Sequence, residues 1–492
     1  LPGADIRAGK PVSVFLDFDT GTGIVEAAES ARVTVGAGTG AALDARPGRT
    51  AFRFGPASGE KTGERQRALA GMFEEAAVAR RRGEAGAQAR NREQLDALKS
   101  RMRVLWECRD FQPAGLSTNK PDGGRRKEKD KAVVTWLETA DRDKDGKSEI
   151  LVGMAEGAVV ALSHGGKPLW SAPAPGMART RSMAGGLRAV IGSPADRKIL
   201  TAGGRGKEYA LACIDASGAR LWEAPLPVAP LILFASEPSR DGSFDIGVGA
   251  FDYVHGYSHK GRPLWKFLNQ QNHATTCGAA YDLDGDGASE MAVGNNYFSG
   301  HVIRGSTGKS LMKIRMTWHA GPSAVALGDL DGDGKGDMVM GDRQGRVLFC
   351  VPWDATNRVT RELAATVTFV KLVDFEGDGK KETVVGTDSG GIYAFDARGV
   401  RLWRGNPDAV PRDVDFGDMD GNGRPDLLLD CEDGCMRILD DRGRQIALFT
   451  AGSGARFARA VELDGDRRSM ECAVGGGDGC VYALKFDGAG GK

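Results

Sequence analysis

The sequence predicts an all-β protein: an eight-bladed β-propeller, preceded by a helical segment and a small β-sandwich-like N-terminal region. Three observations predict it. A motif reading acid, apolar, any residue, Val, Gly recurs at a nearly constant period. Each period holds several short apolar runs separated by turn residues. Glycine is over-represented, at 71 of 492 residues, as tight turns at positive φ require.

The repeat is anchored at Glu149, Lys198, Asp245, Glu290, Asp337, Glu382, Asp426 and Glu471, with Lys198 heading a degenerate copy. Each copy begins with a short apolar run such as 324–327, followed by a loop and then the anchor strand. A third run follows, such as Gly391-Ile-Tyr-Ala-Phe, then a turn and a segment ending in Leu-Trp: Trp170, Trp222, Trp265 and Trp403. Four short strands repeated eight times match propeller blades; helical solenoids need a 3.6-residue period that is absent. The eighth copy lacks a Leu-Trp segment, and one stands far upstream at Val104-Leu-Trp106. Residues 102–110 are therefore expected to supply the outer strand of the last blade, which removes an exposed edge.

The expected domains are a partial β-sandwich-like region over 1–58, a helical spacer over 59–101 and the propeller over 102–492. The first alternates apolar and polar residues, as in Val12-Ser-Val-Phe-Leu. The second is rich in Ala, Glu, Arg and Gln, with Met72, Phe73, Ala76 and Ala77 on one helical face. Residues 115–131 are polar and basic with interleaved acids and no aromatic, which reads as a solvated loop rather than a nucleic-acid patch. The opening residue, Leu1, reads as a processed protein or a fragment.

Lys plus Arg and Asp plus Glu both number 66, so a wholly basic or wholly acidic body is excluded. No apolar stretch is long enough to span a membrane as a helix. Eight cysteines form no CxxC pair, which disfavours a zinc ribbon. Cys431/Cys435 and Cys472/Cys480 flank turns where a cross-strand disulfide is conceivable, with buried thiols the alternative.

The loops before the anchor strands carry the chemistry. Five copies place oxygen side chains at positions 1, 3, 5 and 9: Asp141, Asp143, Asp145 and Glu149; Asp282, Asp284, Asp286 and Glu290; Asp329, Asp331, Asp333 and Asp337; Asp374, Glu376, Asp378 and Glu382; Asp418, Asp420, Asn422 and Asp426. Position 6 is Gly throughout, and the carbonyls of Lys147, Ala288, Lys335, Lys380 and Arg424 at position 7 can add an oxygen. Such a set suits Ca²⁺, which takes six to eight oxygens, better than Mg²⁺ or a transition metal. The alternative is a solvated acidic turn, which five repeats of clustered carboxylates disfavour. Blades 2 and 3 have lost the pattern, and blade 8 keeps it imperfectly. Five structural sites at tenfold excess over the dissociation constant would add about 7 kcal/mol.

These loops, followed by apolar-Val-Gly strands, resemble FG-GAP/VCBS repeats, the calcium-loop blades of integrin-α-like propellers. The blade tails, such as Ile392 to Trp403, resemble PQQ-like repeats with docking tryptophans. The resemblance covers about four-fifths of the chain. It implies a secreted, periplasmic or cell-surface module that binds a glycan or protein, with no nucleic acid partner and no catalysis. Calcium-bearing eight-bladed propellers also occur among rhamnogalacturonan lyases. A lyase needs a base and a cation near the uronate, and His273, His319, Arg412 and Arg456 lead into inner strands. A quinoprotein enzyme and an envelope assembly scaffold are further alternatives; the vicinal cysteine pair common in the former is absent.

Overall fold

The computed structural model describes the backbone of six strands between residues 6 and 53, and residues 94–488 apart from 110–133, 155–156, 174–186, 206–207, 317–319, 351–357, 453 and 467. The chain divides into two compact units, Leu1–Arg92 and Glu93–Lys492. In the first, Ala31–Val35 lies between Ile6–Ala8 and Ala41–Ala45, and Thr22–Ala27 lies between Val12–Asp17 and Gly48–Arg53, both sheets antiparallel. Of the expected helical spacer, residues 94–99 are helical, and 54–93 lie outside the described residues.

The second unit is an eight-bladed β-propeller of four-stranded antiparallel sheets. The inner strands are Val134–Ala140, Leu187–Ile191, Ile232–Ala235, Thr275–Tyr281, Pro322–Gly328, Val367–Val373, Pro411–Gly417 and Ala455–Val461. Seven blades run inner to outer in chain order. In blade 8 the outer strand is Met102–Cys108, which pairs with Val481–Phe486 and sets Trp106 opposite Ala483.

Burial follows position within the blade. The second strands Glu149–Met154, Glu290–Asn295, Asp426–Cys431 and Glu471–Gly476 are buried along their whole length. Each is covered on both faces by neighbouring blades, so it reads as a continuous apolar run. Outer strands such as Pro168–Pro173 are largely exposed.

The Val-Gly signature has a packing cause. Inner-strand aromatics lie flat on the glycine: a Cβ on Gly153 would come within 2.1 Å of the Trp136 ring, and one on Gly386 within 2.4 Å of Phe369. The Leu-Trp tails dock between blades. Trp170 covers Gly218 and Trp222 covers Gly261, each a glycine at positive φ in the next blade's outer turn. Trp222 Nε1 donates to the carbonyl of His259 at 2.7 Å. The described outer strand of blade 5, Arg358–Glu362, carries no tryptophan; Phe349 sits over Gly399, and Arg361 Nε donates to the Gly399 carbonyl.

Every inner strand starts at one face of the ring and ends at the other, where the acidic loop returns the chain to the second strand. The acidic loops thus share one face. The turns between second and third strands share the opposite face with the starts of the inner strands.

Candidate metal-binding loops and channel mouth

Backbone amides pre-shape each acidic loop. In blade 4, Gly285 and Gly287 donate to the two oxygens of Asp282, both at 2.9 Å, and Leu283 donates to Glu290 Oε2 at 3.0 Å. Blades 5, 6 and 7 repeat this geometry on Asp329 and Asp337, Asp374 and Glu382, and Asp418 and Asp426. In blade 1, Arg142 N–H donates to Glu149 Oε2 at 2.8 Å. One oxygen of the position 9 acid is thereby fixed to the loop and the other is left for the loop centre.

Ligand oxygens of Asp141, Asp143 and Asp145 lie within 4.8 Å of one another, as do those of Asp282, Asp284 and Glu290, of Asp329, Asp331 and Asp333, and of Asp418, Asp420 and Asp426. Glu462, Asp464 and Glu471 of blade 8 form a fifth such group. The blade 6 loop, with the longer Glu376 at position 3, is not among them.

Asp426 is fully buried, and its Oδ1 has no hydrogen-bond partner. Burial, reinforced by Asp420, pushes its carboxyl up to about 7. Burial likewise pushes Glu290 up to about 7 and Asp337 to about 6, with neighbouring carboxylates adding to the shift. A buried, orphaned carboxylate oxygen among other carboxylates is what a hard, oxygen-seeking cation would satisfy. The donor set therefore fits calcium.

Two loops contain a cation from the chain itself. Arg304 places Nη1 at 2.7 Å from Asp286 Oδ2 and Nη2 at 3.0 Å from Asp284 Oδ2 and 3.6 Å from Glu290 Oε1. In blade 8, Lys485 Nζ lies 2.6 Å from both Asp464 Oδ2 and Glu471 Oε1. Arg424 of blade 7 instead pairs with Asp441.

On the axis, inner strands bring together charges that the sequence reading did not single out. Arg188 pairs with Glu138 at 3.2 Å, and Arg459 reaches Glu138 and Asp413, both at 3.4 Å. Lys371 lies 3.5 Å from Asp413, and Asp415 accepts the Ala460 N–H at 2.8 Å. Burial works against the Glu138 charge, but Arg459 and Arg188 outweigh it and hold the carboxyl below its ordinary range. The available signal was charge inside otherwise apolar inner strands, single in the strands of Glu138, Arg188 and Lys371 and multiple in those of Asp413 and Arg459.

At the face opposite the acidic loops, a cavity of roughly 990 Å³ opens beside this network, with Arg188, Arg412, Asp413, Asp430 and Arg456 in its lining. The structure therefore brings Arg412 and Arg456 to one cavity. Asp430 is 5% exposed, its Oδ1 has no hydrogen-bond partner, and burial together with Asp413 pushes it up to about 8. His273 is elsewhere, stacked on Tyr297 at 4.5 Å with Nδ1 3.0 Å from Asn296 Oδ1. His319 lies outside the described residues. No disulfide links any of the eight cysteines: seven are buried and Cys435 is half-buried. Among the described residues no helix is long and apolar enough to cross a membrane.

Fold and loops together define a repeat propeller whose blades turn on acidic, glycine-rich loops. The model of the FG-GAP-like repeat family matches residues 282–340, from the blade 4 loop into the second strand of blade 5, so this stretch of the eight-bladed propeller carries an FG-GAP-like repeat. No curated protein matches the sequence. Among solved structures, Sqt1 of Saccharomyces cerevisiae is 14% identical with a TM-score of 0.55, over 72% of this chain and 96% of that one. The computationally designed Ika8 protein is 14% identical with a TM-score of 0.53, over the same shares. BamB from Moraxella catarrhalis is 16% identical with a TM-score of 0.49, over 78% of this chain and 98% of that one. At these identities the likeness concerns the fold alone.

Proposed function

We propose that this protein is a calcium-stabilised recognition module that works outside the cytoplasm and binds a polar ligand, a glycan or a protein, at the mouth of its central channel. The observation that carries the calcium reading is the buried Asp426, whose unpartnered Oδ1 belongs to a carboxylate cluster repeated from blade to blade. Three carboxylates converging around such an oxygen repel one another until a cation arrives. The localisation follows from the calcium reading and stands or falls with it, because sites of the strength found in extracellular modules fill only where calcium is near millimolar. Residues 141, 143, 145, 147 and 149 and their counterparts would supply the ligands.

The cavity at the opposite face supports the recognition reading. It is lined by arginines and acids and lies on the ring axis, where blades 7, 8, 1 and 2 meet. Calorimetric titration of the chelated protein with calcium tests the first half: heats that saturate at several ions per chain, with a raised unfolding midpoint, are expected. A midpoint that calcium does not move would refute a structural role. For the second half, a panel of acidic and neutral oligosaccharides is titrated against the protein and against Arg412→Ala/Arg456→Ala.

One observation favours a second reading, a polysaccharide lyase. Asp430, whose carboxyl is pushed up to about 8, shares the cavity with Arg412 and Arg456; its ionised form is a base of raised strength beside two cations, the pairing that uronate elimination uses. Ultraviolet absorbance of unsaturated uronate during incubation with acidic polysaccharides separates the readings. A rising signal lost in Asp430→Asn would establish the lyase.

A further inference from the structure

The eight blades are register-equivalent, so the residue facing the position 9 acid across the ladder can be compared from blade to blade. That residue lies at the end of the third strand or one residue beyond it, before the outer turn. In blades 6 and 7 it is an aspartate. Thr383 pairs with Phe395 and Leu427 with Leu439, which sets Glu382 opposite Asp396 and Asp426 opposite Asp440. Both aspartates face away from the loop: Asp396 accepts the Arg398 and Val400 amides, and Asp440 the Arg442 and Arg444 amides, so each shapes its own turn. In blade 1 Val160 pairs with Val152 and Leu162 with Ile150, and Ser163 holds the equivalent place, its Oγ accepting the Lys167 amide. In blade 5 the position is 351, a valine in the sequence that lies outside the described residues.

Blades 4 and 8 break the rule together. Glu290 pairs with Arg304, and Cys472 with Leu484, which sets Glu471 opposite Lys485. Both side chains leave the turn and enter the acidic loop. Arg304 spans Asp284, Asp286 and Glu290, and Lys485 spans Asp464 and Glu471. Glu290 and Glu471 are fully buried, so each cation meets a carboxylate that no solvent neutralises. A guanidinium or ammonium within 3 Å of two carboxylates stands where a divalent ion would have to stand, and like charges exclude each other there.

We propose that Arg304 and Lys485 are tethered cations that replace the metal in the loops of blades 4 and 8, so that only blades 1, 5, 6 and 7 take a divalent ion. The inference rests on the calcium reading for the count of ions but not for the role of the two side chains. The sequence of the blade 4 loop alone, with its full complement of acids, does not reveal this; the partner strand does.

The test titrates calcium into chelated full-length wild type and Arg304→Gln by calorimetry, and follows urea unfolding of both proteins in chelator. Wild type is expected to bind four ions and Arg304→Gln five. In chelator Arg304→Gln is expected to unfold at lower urea than wild type, while Arg109→Gln, which alters an exposed pair with Glu107, leaves the midpoint in place. An unchanged ion count on Arg304→Gln, where wild type does bind calcium, would overturn the proposal. An unshifted midpoint for Arg304→Gln in chelator would also overturn it. If no variant binds calcium and Arg304→Gln still unfolds early in chelator, the calcium reading fails and the tethered cation stands.

Discussion

The docking of each outer-strand tryptophan on a glycine of the next blade can be isolated with two substitutions. Gly218 and Gly242 have nearly the same backbone, φ +83° and +79°, and each donates its N–H to the residue three before it, at 3.0 and 2.9 Å. They differ in surroundings. A Cβ on Gly218 would lie 2.5 Å from Trp170 Cε3, while one on Gly242 would meet nothing within 4 Å. Gly242→Ala should therefore show only the conformational cost of alanine in the left-handed region, about 1–2 kcal/mol. Gly218→Ala should add the cost of driving the indole back by about 1 Å, a further 1–3 kcal/mol as for other overpacked sites. Urea unfolding followed by tryptophan fluorescence reads both, provided the slope is unchanged. In a Trp170→Ala background the Gly218→Ala cost should fall to that of Gly242→Ala. Equal costs for the two alanines in the Trp170 protein would refute the docking argument.

Asp430 gives a pH test. Its folded value, about 8, lies above that of an unfolded aspartate, so the folded state holds its proton more tightly. Stability is then complete below about pH 4 and is lost as pH rises to 8. A shift of that size corresponds to at most about 6 kcal/mol, so Asp430→Asn should be more stable than wild type by about 2–5 kcal/mol at pH 8 and within about 1 kcal/mol at pH 4, by urea unfolding at both values. For the acidic loops the same sign applies in chelator: the unfolding midpoint should fall from pH 5 to pH 8 as Asp337 and Asp426 ionise. Protons compete with calcium at those groups, so calorimetric affinity should weaken on acidification from pH 8 to pH 5. Finally, Trp106→Ala removes the ring that covers Gly166 and the 2.9 Å bond from Nε1 to the His164 carbonyl. It should destabilise by about 2–4 kcal/mol, measured by urea unfolding.

Much of the ring was legible because the blade is a local unit. The anchor acid, the Val-Gly step and the Leu-Trp tail repeat for stated reasons: an amide acceptor at position 9, room for Trp136 or Phe369, and a plug for the next blade. The loop carboxylates were legible for the same reason, since their spacing is set within nine residues. What escaped the sequence is what depends on a partner strand or on the axis. Arg304 reads as an ordinary residue before a Gly-containing turn until the ladder sets it against Glu290. Glu138, Arg188, Asp413 and Arg459 are far apart in the chain and meet only when the circle closes. Arg412 and Arg456 occupy the same place in adjacent blades and so share a cavity, whereas His273, in another sector, settles against Tyr297.

Blade 8 draws its outer strand from Met102–Cys108 and its other three from the far end of the propeller sequence. During synthesis, residues 102–108 leave the ribosome before any blade exists, yet their partner Val481–Phe486 is the last strand of the propeller to emerge. Seven blades can form in order behind them as each meander is completed. Throughout that interval the waiting strand and the growing inner edge are open ladders, the kind of surface that recruits other chains. Joining them closes the longest loop in the propeller, which makes the final step slow relative to blade formation. The last-formed contact is thus also the clasp: until Trp106 reaches Ala483, the two ends of the ring are joined only through the chain of the other blades, and afterwards a hydrogen-bonded ladder ties the chain that leads into blade 1 to blade 8.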